Sequence, residues 1–254
     1  MLSRTRYHGP GTMLGRLVSG RRSSGKPRAH LIHAGKTAGT AIKWALRDLT
    51  RDGDYRLELH EHAVTLRDVP AGDRVFFVVR DPIDRFVSGF YSRQRQGRPR
   101  YNYPWSPDEE KAFTAFETAD ALAAALSSSD DAERAAAQDA MRSIQHVRDS
   151  YWRWFGDPDY FRSRASDMLL IMWFPELAET LPLLARTLGL DTAIALPRDD
   201  VNAHRNPHKV DRTLSEHART NLTDWYAEDF TFLQLCTAHP AFAPNLTAAS
   251  QDVQ

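Results

Sequence analysis

A single cysteine, Cys236, stands among the 254 residues of the chain. An intrachain disulfide is therefore excluded, and a reducing compartment is implied. Two Asn-x-Thr triplets, at Asn221 and Asn245, then carry no weight as glycosylation signals. No apolar run approaches the ~20 residues that a membrane span requires. The longest, residues 168–175, suits a buried strand, and the first thirty residues hold no signal-peptide apolar segment. No Cys/His cluster has zinc spacing, no metal is expected, and no internal repeat is visible. Acidic residues are missing from the first 28 positions, which carry seven basic side chains. Since the formal net charge is zero, the remainder holds 26 basic against 33 acidic residues. Such an arm suits an anionic surface or nucleic acid, or a transit peptide, or a disordered start. With 42% hydrophobic residues the chain can bury one sizeable core. The reading is a soluble, cytoplasmic protein with a basic arm over 1–28, one domain over 29–240 and a frayed tail over 241–254.

What is present centres on residues 30–40, HLIHAGKTAGT. Leu31-Ile32 reads as the end of a buried strand. The chain then passes through Gly35-Lys36-Thr37-Ala38-Gly39-Thr40 into Ile42, Ala45, Leu46 and Leu49, which recur at helical spacing. Strand, glycine-containing turn and helix start make an anion site. Backbone N–H groups point at the ligand, the macrodipole favours negative charge, and Lys36 adds a mobile cation. A nucleoside-triphosphate P-loop would need glycine five residues before Gly35-Lys36. His30 stands there, so the cradle is shorter than that motif.

Further elements follow in alternation. Residues 55–59 alternate apolar and polar as a short strand, and lead into His60-Glu61-His62. The run Val75-Phe76-Phe77-Val78-Val79 has the composition of a central parallel strand. Asp81-Pro82 reads as an N-cap with proline at the first helical position. Arg80 closes the strand, and Ser88 lies two helical turns beyond Asp81 on its face. A guanidinium and a hydroxyl converging there suit a phosphate monoester. Arg85 is expected to pair with Asp81 at i,i+4. Downstream, Ser106 opens a capping box, residues 118–126 are helical, and Asp130-Asp131 cap a helix reaching Phe155. Residues 168–173 form a core strand. A helix over 176–188 follows, kinked or split at Pro182. Thr213 and Glu216 form a second capping box that opens one long terminal helix. Strands separated by helices, with both anion motifs at strand ends, imply an α/β fold: a three-layer parallel β-sheet flanked by helices.

His33-Ala34-Gly35-Lys36-Thr37-Ala38-Gly39-Thr40, together with residues 80–90, resembles the cofactor motifs of sulfotransferases. Those enzymes use 3′-phosphoadenosine 5′-phosphosulfate (PAPS), and the likeness is to the carbohydrate sulfotransferases and their soluble bacterial relatives. Ala38 stands where that family often has glycine. The resemblance covers about residues 29–235 and implies a P-loop-NTPase-like sulfotransferase fold. It puts phosphosulfate on Lys36, Thr37, Ala38, Gly39, Thr40 and Ala41, and the 3′-phosphate on Arg80 and Ser88. A basic loop with Arg205 and Lys209 would close over the cofactor. Animal relatives carry an N-terminal anchor; its lack here points to the bacterial kind. The acceptor would be a hydroxyl on a carbohydrate or small metabolite. Its base would be His62 first, then His60, then Glu58, with both histidines expected to point the same way after the second strand. Lys36 would stabilise charge during transfer. His33 is expected to shape the loop, and His146 to lie on a helix. Residues 93–105, mixing arginines with Tyr101, Tyr103 and Trp105, suit a sugar or anionic acceptor, and equally a protein contact. Two other readings stand beside this one. A nucleotide kinase or NTPase is disfavoured by His30. A nucleic-acid-binding protein acting through its arm is disfavoured by the acidic remainder.

Overall fold

The computed structural model describes residues 25–197 and 210–246. Four strands, β1 (Arg28–Leu31), β2 (Arg56–Leu59), β3 (Arg74–Val79) and β4 (Met168–Trp173), form one parallel sheet in the order β2-β1-β3-β4. Val75, Phe77 and Val79 face one side of the sheet and Phe76 and Val78 the other, and all five are buried. This is why β3 reads as an uninterrupted apolar run. Helices α1 (Gly39–Leu46) and α8 (Leu177–Leu188) cover the Phe76 face. The Phe77 face is covered by α6 (Trp152–Phe155), α7 (Pro158–Ser163) and α10 (Ala227–Thr237). A separate helical core joins α2 (Pro82–Gln94), α3 (Pro107–Ala115), α4 (Ala119–Ala125), α5 (Asp131–Ser143) and α9 (Glu216–Trp225). The expected three-layer α/β architecture is present.

The strand order fixes where a ligand goes. From β1 the chain leaves to one side to make β2, then crosses back over β1 to place β3 on its other flank. Neighbouring strands whose connections depart in opposite directions open a crevice at their carboxyl ends. Here those strands are β1 and β3, and each is followed directly by one of the two anion motifs.

Several boundaries differ from the sequence reading. The helix expected to reach Phe155 stops at Ser143, and His146 sits in a turn with φ 71°. Beyond that turn the backbone bonds to a buried ion pair instead of to itself: Tyr151 N–H donates to Asp229 (2.7 Å) and the Asp149 carbonyl accepts from Arg85. Arg85 is therefore not the surface partner of Asp81. Its guanidinium and Asp229 are each 1% exposed and lie 2.9 Å apart. The long terminal helix is two helices, broken at Tyr226, whose hydroxyl donates to the Val147 carbonyl (2.8 Å). Its N-cap is Ser215 rather than Thr213. Pro182 lies inside a helix that is not split. The tail does not fray at once: Phe242 bridges to Ile171 beside β4, and Phe242 and Ala243 are buried.

Candidate active site

Both anion motifs open into one cleft of about 1440 Å³. Nine Lys and Arg side chains line it against three carboxylates, so its field selects for anions. The first wall is the turn between β1 and α1. Lys36 (φ 67°) and Ala38 (φ 66°) both adopt left-handed backbone there. Ala38 is the N-cap and has no side chain able to cap, so the first-turn N–H groups of α1 keep no side-chain partner from that position. Ala38, Gly39, Thr40 and Ala41 line the cleft beside Lys36. Thr37 does not. Its hydroxyl turns inward to the Ala34 carbonyl (2.9 Å) and is buried, so it braces the turn.

Gly39 has a steric reason to be glycine. A Cβ there would lie 2.0 Å from Cδ2 of His33. The His33 ring packs on that bare backbone. Burial, ahead of neighbouring His62 and Lys43, pushes its pKa down to about 2, which keeps the ring neutral. His33 thus shapes the loop, as its place in the motif suggests.

Arg80 supplies the second wall. Its backbone is clamped at both ends by one hydroxyl: Tyr151 O–H donates to the Arg80 carbonyl (2.8 Å) and accepts from its N–H (3.0 Å). The guanidinium lies over the Phe174 ring, 4.2 Å from its centroid, and donates through Nη1 to the Lys36 carbonyl (3.4 Å). Its Nε is buried and has no hydrogen-bond partner among the described residues. A buried, unpaired guanidinium N–H is costly without an acceptor, and a phosphate oxygen would provide one. Ser88 lines the same cleft from α2, whose start is capped by Asp81 as expected. Lys36 is half-buried; desolvation first, then Arg95 and Arg80, lowers its pKa to about 7.

Of the three base candidates, only His62 lines the cleft. His60 turns away to His30, with Nε2 2.8 Å from the His30 Nδ1, and His30 Nε2 in turn lies 3.1 Å from Asp73. Glu58 pairs with Arg56 (3.0 Å). The two histidines do not share a face because β2 ends at Leu59 and the chain turns before His62. His62 Nδ1 lies 3.0 Å from the His33 carbonyl. A carbonyl only accepts, so Nδ1 carries the proton and Nε2 keeps its lone pair. Burial lowers the His62 pKa, only partly offset by that bond, so the neutral ring prevails at neutral pH. Trp154 Nε1 donates to the His62 carbonyl (2.8 Å) and fixes the turn.

The chain belongs to the sulfotransferase family. A model of that family matches residues 32–235, about four-fifths of the sequence. Searches of curated proteins and of solved structures returned no match. Family membership carries sulfuryl transfer as the general activity of this domain.

Sequence reasoning passed over several residues of this sulfotransferase cleft. His146, expected on a helix, lines it instead from the turn after α5, and Lys43 of α1, which the sequence did not single out, reaches it paired with Glu61 at 2.5 Å. The Tyr151 clamp and the Arg93–Glu109 pair (2.5 Å), which ties α2 to α3, come from residues far apart in sequence. No local spacing announces them. The loop of Arg205 and Lys209 lies outside the described residues. Among the described residues no helix is long and apolar enough to cross a membrane.

Proposed function

We propose that the protein transfers the sulfuryl group of PAPS to a hydroxyl of a carbohydrate or small metabolite. The supporting observation is the convergence of two anion motifs at one topological switch point, close enough for Arg80 Nη1 to reach the Lys36 carbonyl at 3.4 Å. In this reading the turn and the start of α1 hold the 5′ end through Lys36 and the N–H groups of Ala38, Gly39 and Thr40, while the Ala41 N–H stays bonded to the Ala38 carbonyl (2.9 Å). Arg80, through its unpaired Nε, and Ser88 hold the 3′-phosphate. PAPS supplies an activated sulfuryl group whose transfer leaves negative charge on the bridging oxygen. Lys36 stands where that charge is neutralised. His62 accepts the acceptor's hydroxyl proton at Nε2, the nitrogen that the His33 carbonyl leaves unprotonated. His33 and Gly39 fix the loop, while Tyr151 and Phe174 fix Arg80.

Calorimetric titration with 3′-phosphoadenosine 5′-phosphate (PAP), set against ATP, tests the donor assignment. PAP is expected to bind with micromolar affinity, on the order of −8 kcal/mol. Arg80→Ala should weaken it by roughly 2 kcal/mol, because a buried phosphate loses its charged partner. Equal affinity for ATP, or an Arg80→Ala variant that binds PAP unchanged, overturns the assignment.

A further inference from the structure

We propose that His146 is a further catalytic residue, donating a hydrogen bond to the sulfuryl group as it passes from PAPS to the acceptor; this rests on the sulfuryl-transfer reading above. His146 is wedged between the two anion motifs. Its ring edge faces Gly35, the residue before Lys36: a Cβ on Gly35 would lie 3.2 Å from the His146 Nδ1 and 3.6 Å from Cη2 of Trp154. Its backbone packs on Gly89, the residue after Ser88 on α2, where a Cβ would meet the His146 carbonyl and its Cβ at 3.3 Å. Glycine in both motifs therefore lets this histidine approach. On a third side stands the His62 ring, 6.0 Å away between centroids and inclined by 56°.

The ring is half-buried and lines the cleft. Among the described residues no group hydrogen-bonds it. Its neighbours are committed differently: the His62 Nδ1 is held by the His33 carbonyl, and His30 and His60 hold each other. An imidazole with both nitrogens unassigned at the wall of a site is matched by a ligand that accepts from it. Burial first, then the charge of Lys36, holds its pKa well below the ordinary histidine value, so the ring is neutral and has one N–H to give.

In-line transfer puts the leaving oxygen at Lys36 and the entering hydroxyl at the His62 Nε2. The sulfur moves between them with its remaining oxygens turned to the sides, and His146 adjoins both residues. The sulfur–oxygen bond to the nucleotide breaks and leaves its electron pair on the 5′-phosphate of PAP. The bond to the acceptor oxygen forms, and the hydroxyl proton passes to His62. His146 keeps its own proton throughout; its hydrogen bond holds the moving group on the line between donor and acceptor.

PAP lacks the sulfuryl group that PAPS carries, so the two nucleotides separate this contact from the rest of the site. In calorimetric titrations His146→Ala should weaken PAPS about tenfold, the equivalent of one hydrogen bond to a charged group, and leave PAP within about twofold of wild type. His146→Gln, whose amide N–H reaches about as far as the histidine Nε2, should recover part of the loss for PAPS. Arg80→Ala, by contrast, should weaken both nucleotides alike. The inference is overturned if His146→Ala weakens PAP as much as PAPS, the mark of a residue that only shapes the turn, or if PAPS affinity does not change. Wild-type protein that binds neither nucleotide overturns the donor assignment and the role of His146 with it. Wild-type protein that binds PAP keeps that assignment, and the PAPS titrations then judge His146 alone.

Discussion

Lys36 offers the most discriminating test of the donor site, because an amine with its pKa lowered to about 7 is partly neutral and that fraction must gain a proton to grip a phosphate. Its depression comes first from burial and then from Arg95 and Arg80, all present before ligand arrives. A bound dianion reverses the balance and returns the lysine toward its ordinary range. Binding therefore takes up a proton wherever free Lys36 is neutral, and affinity falls as pH rises above about 7. Phosphate second ionisations lie near 6, so PAP itself is fully charged from pH 7.5 upward. For a free-state pKa of about 7, the dissociation constant should rise ~75-fold between pH 7.5 and 9.5, about 2.5 kcal/mol. Near pH 8 about 0.9 proton should enter per PAP bound, which calorimetry in two buffers of different ionisation enthalpy reads directly. Lys36→Arg supplies a cation that does not titrate in this window and should flatten the profile. A flat wild-type profile with no proton uptake would refute the reasoning. It would mean either that Lys36 stays charged in the free protein or that it does not meet the phosphate.

Three further outcomes follow from the same geometry. His62→Ala should lower turnover by ~10²–10⁴-fold while PAP affinity, read by calorimetry, stays within about twofold of wild type; unchanged turnover would remove His62 as the base. Gly39→Ala forces a Cβ to within 2.0 Å of the His33 ring, and since that ring is buried the ring or the turn beneath it must shift. It should therefore reduce both PAP affinity and turnover, with a stability loss of ~1–3 kcal/mol from overpacking in urea unfolding. Asp229→Ala strands the Arg85 guanidinium at 1% exposure and removes the acceptor for Ser150 (2.6 Å) and the Tyr151 N–H (2.7 Å). A loss of ~3–5 kcal/mol is expected, seen as a lower urea midpoint at unchanged slope.

The parts legible in the sequence are those whose cause is local. Central strand β3 announced itself because both its faces are buried. The Asp81 and Ser106 caps were legible because a capping side chain bonds within three residues of itself. The Lys36 turn and Arg80 could be assigned because each directly follows a strand, and strand direction decides which edge they reach. Where the reading failed, a distant partner had intervened. Apolar spacing carried the helix after Asp131 on to Phe155, but Arg85 and Asp229 claim the backbone of residues 149–151 and force a turn that delivers His146 to the cleft. The same pair withdrew Arg85 from the helix surface, where i,i+4 spacing had put it. His60 and His62 were read as a same-face pair on the assumption that the strand continued. It ends one residue earlier, and His30, the residue that excludes an NTP-type P-loop, captures His60. One substitution in the motif therefore has two consequences, shortening the phosphate cradle and removing a competitor for the role of base. Glycine at position 38 would suit the same backbone better. Ala38 sits at φ 66°, where a Cβ costs about 1–2 kcal/mol, because it is the left-handed N-cap from which α1 starts.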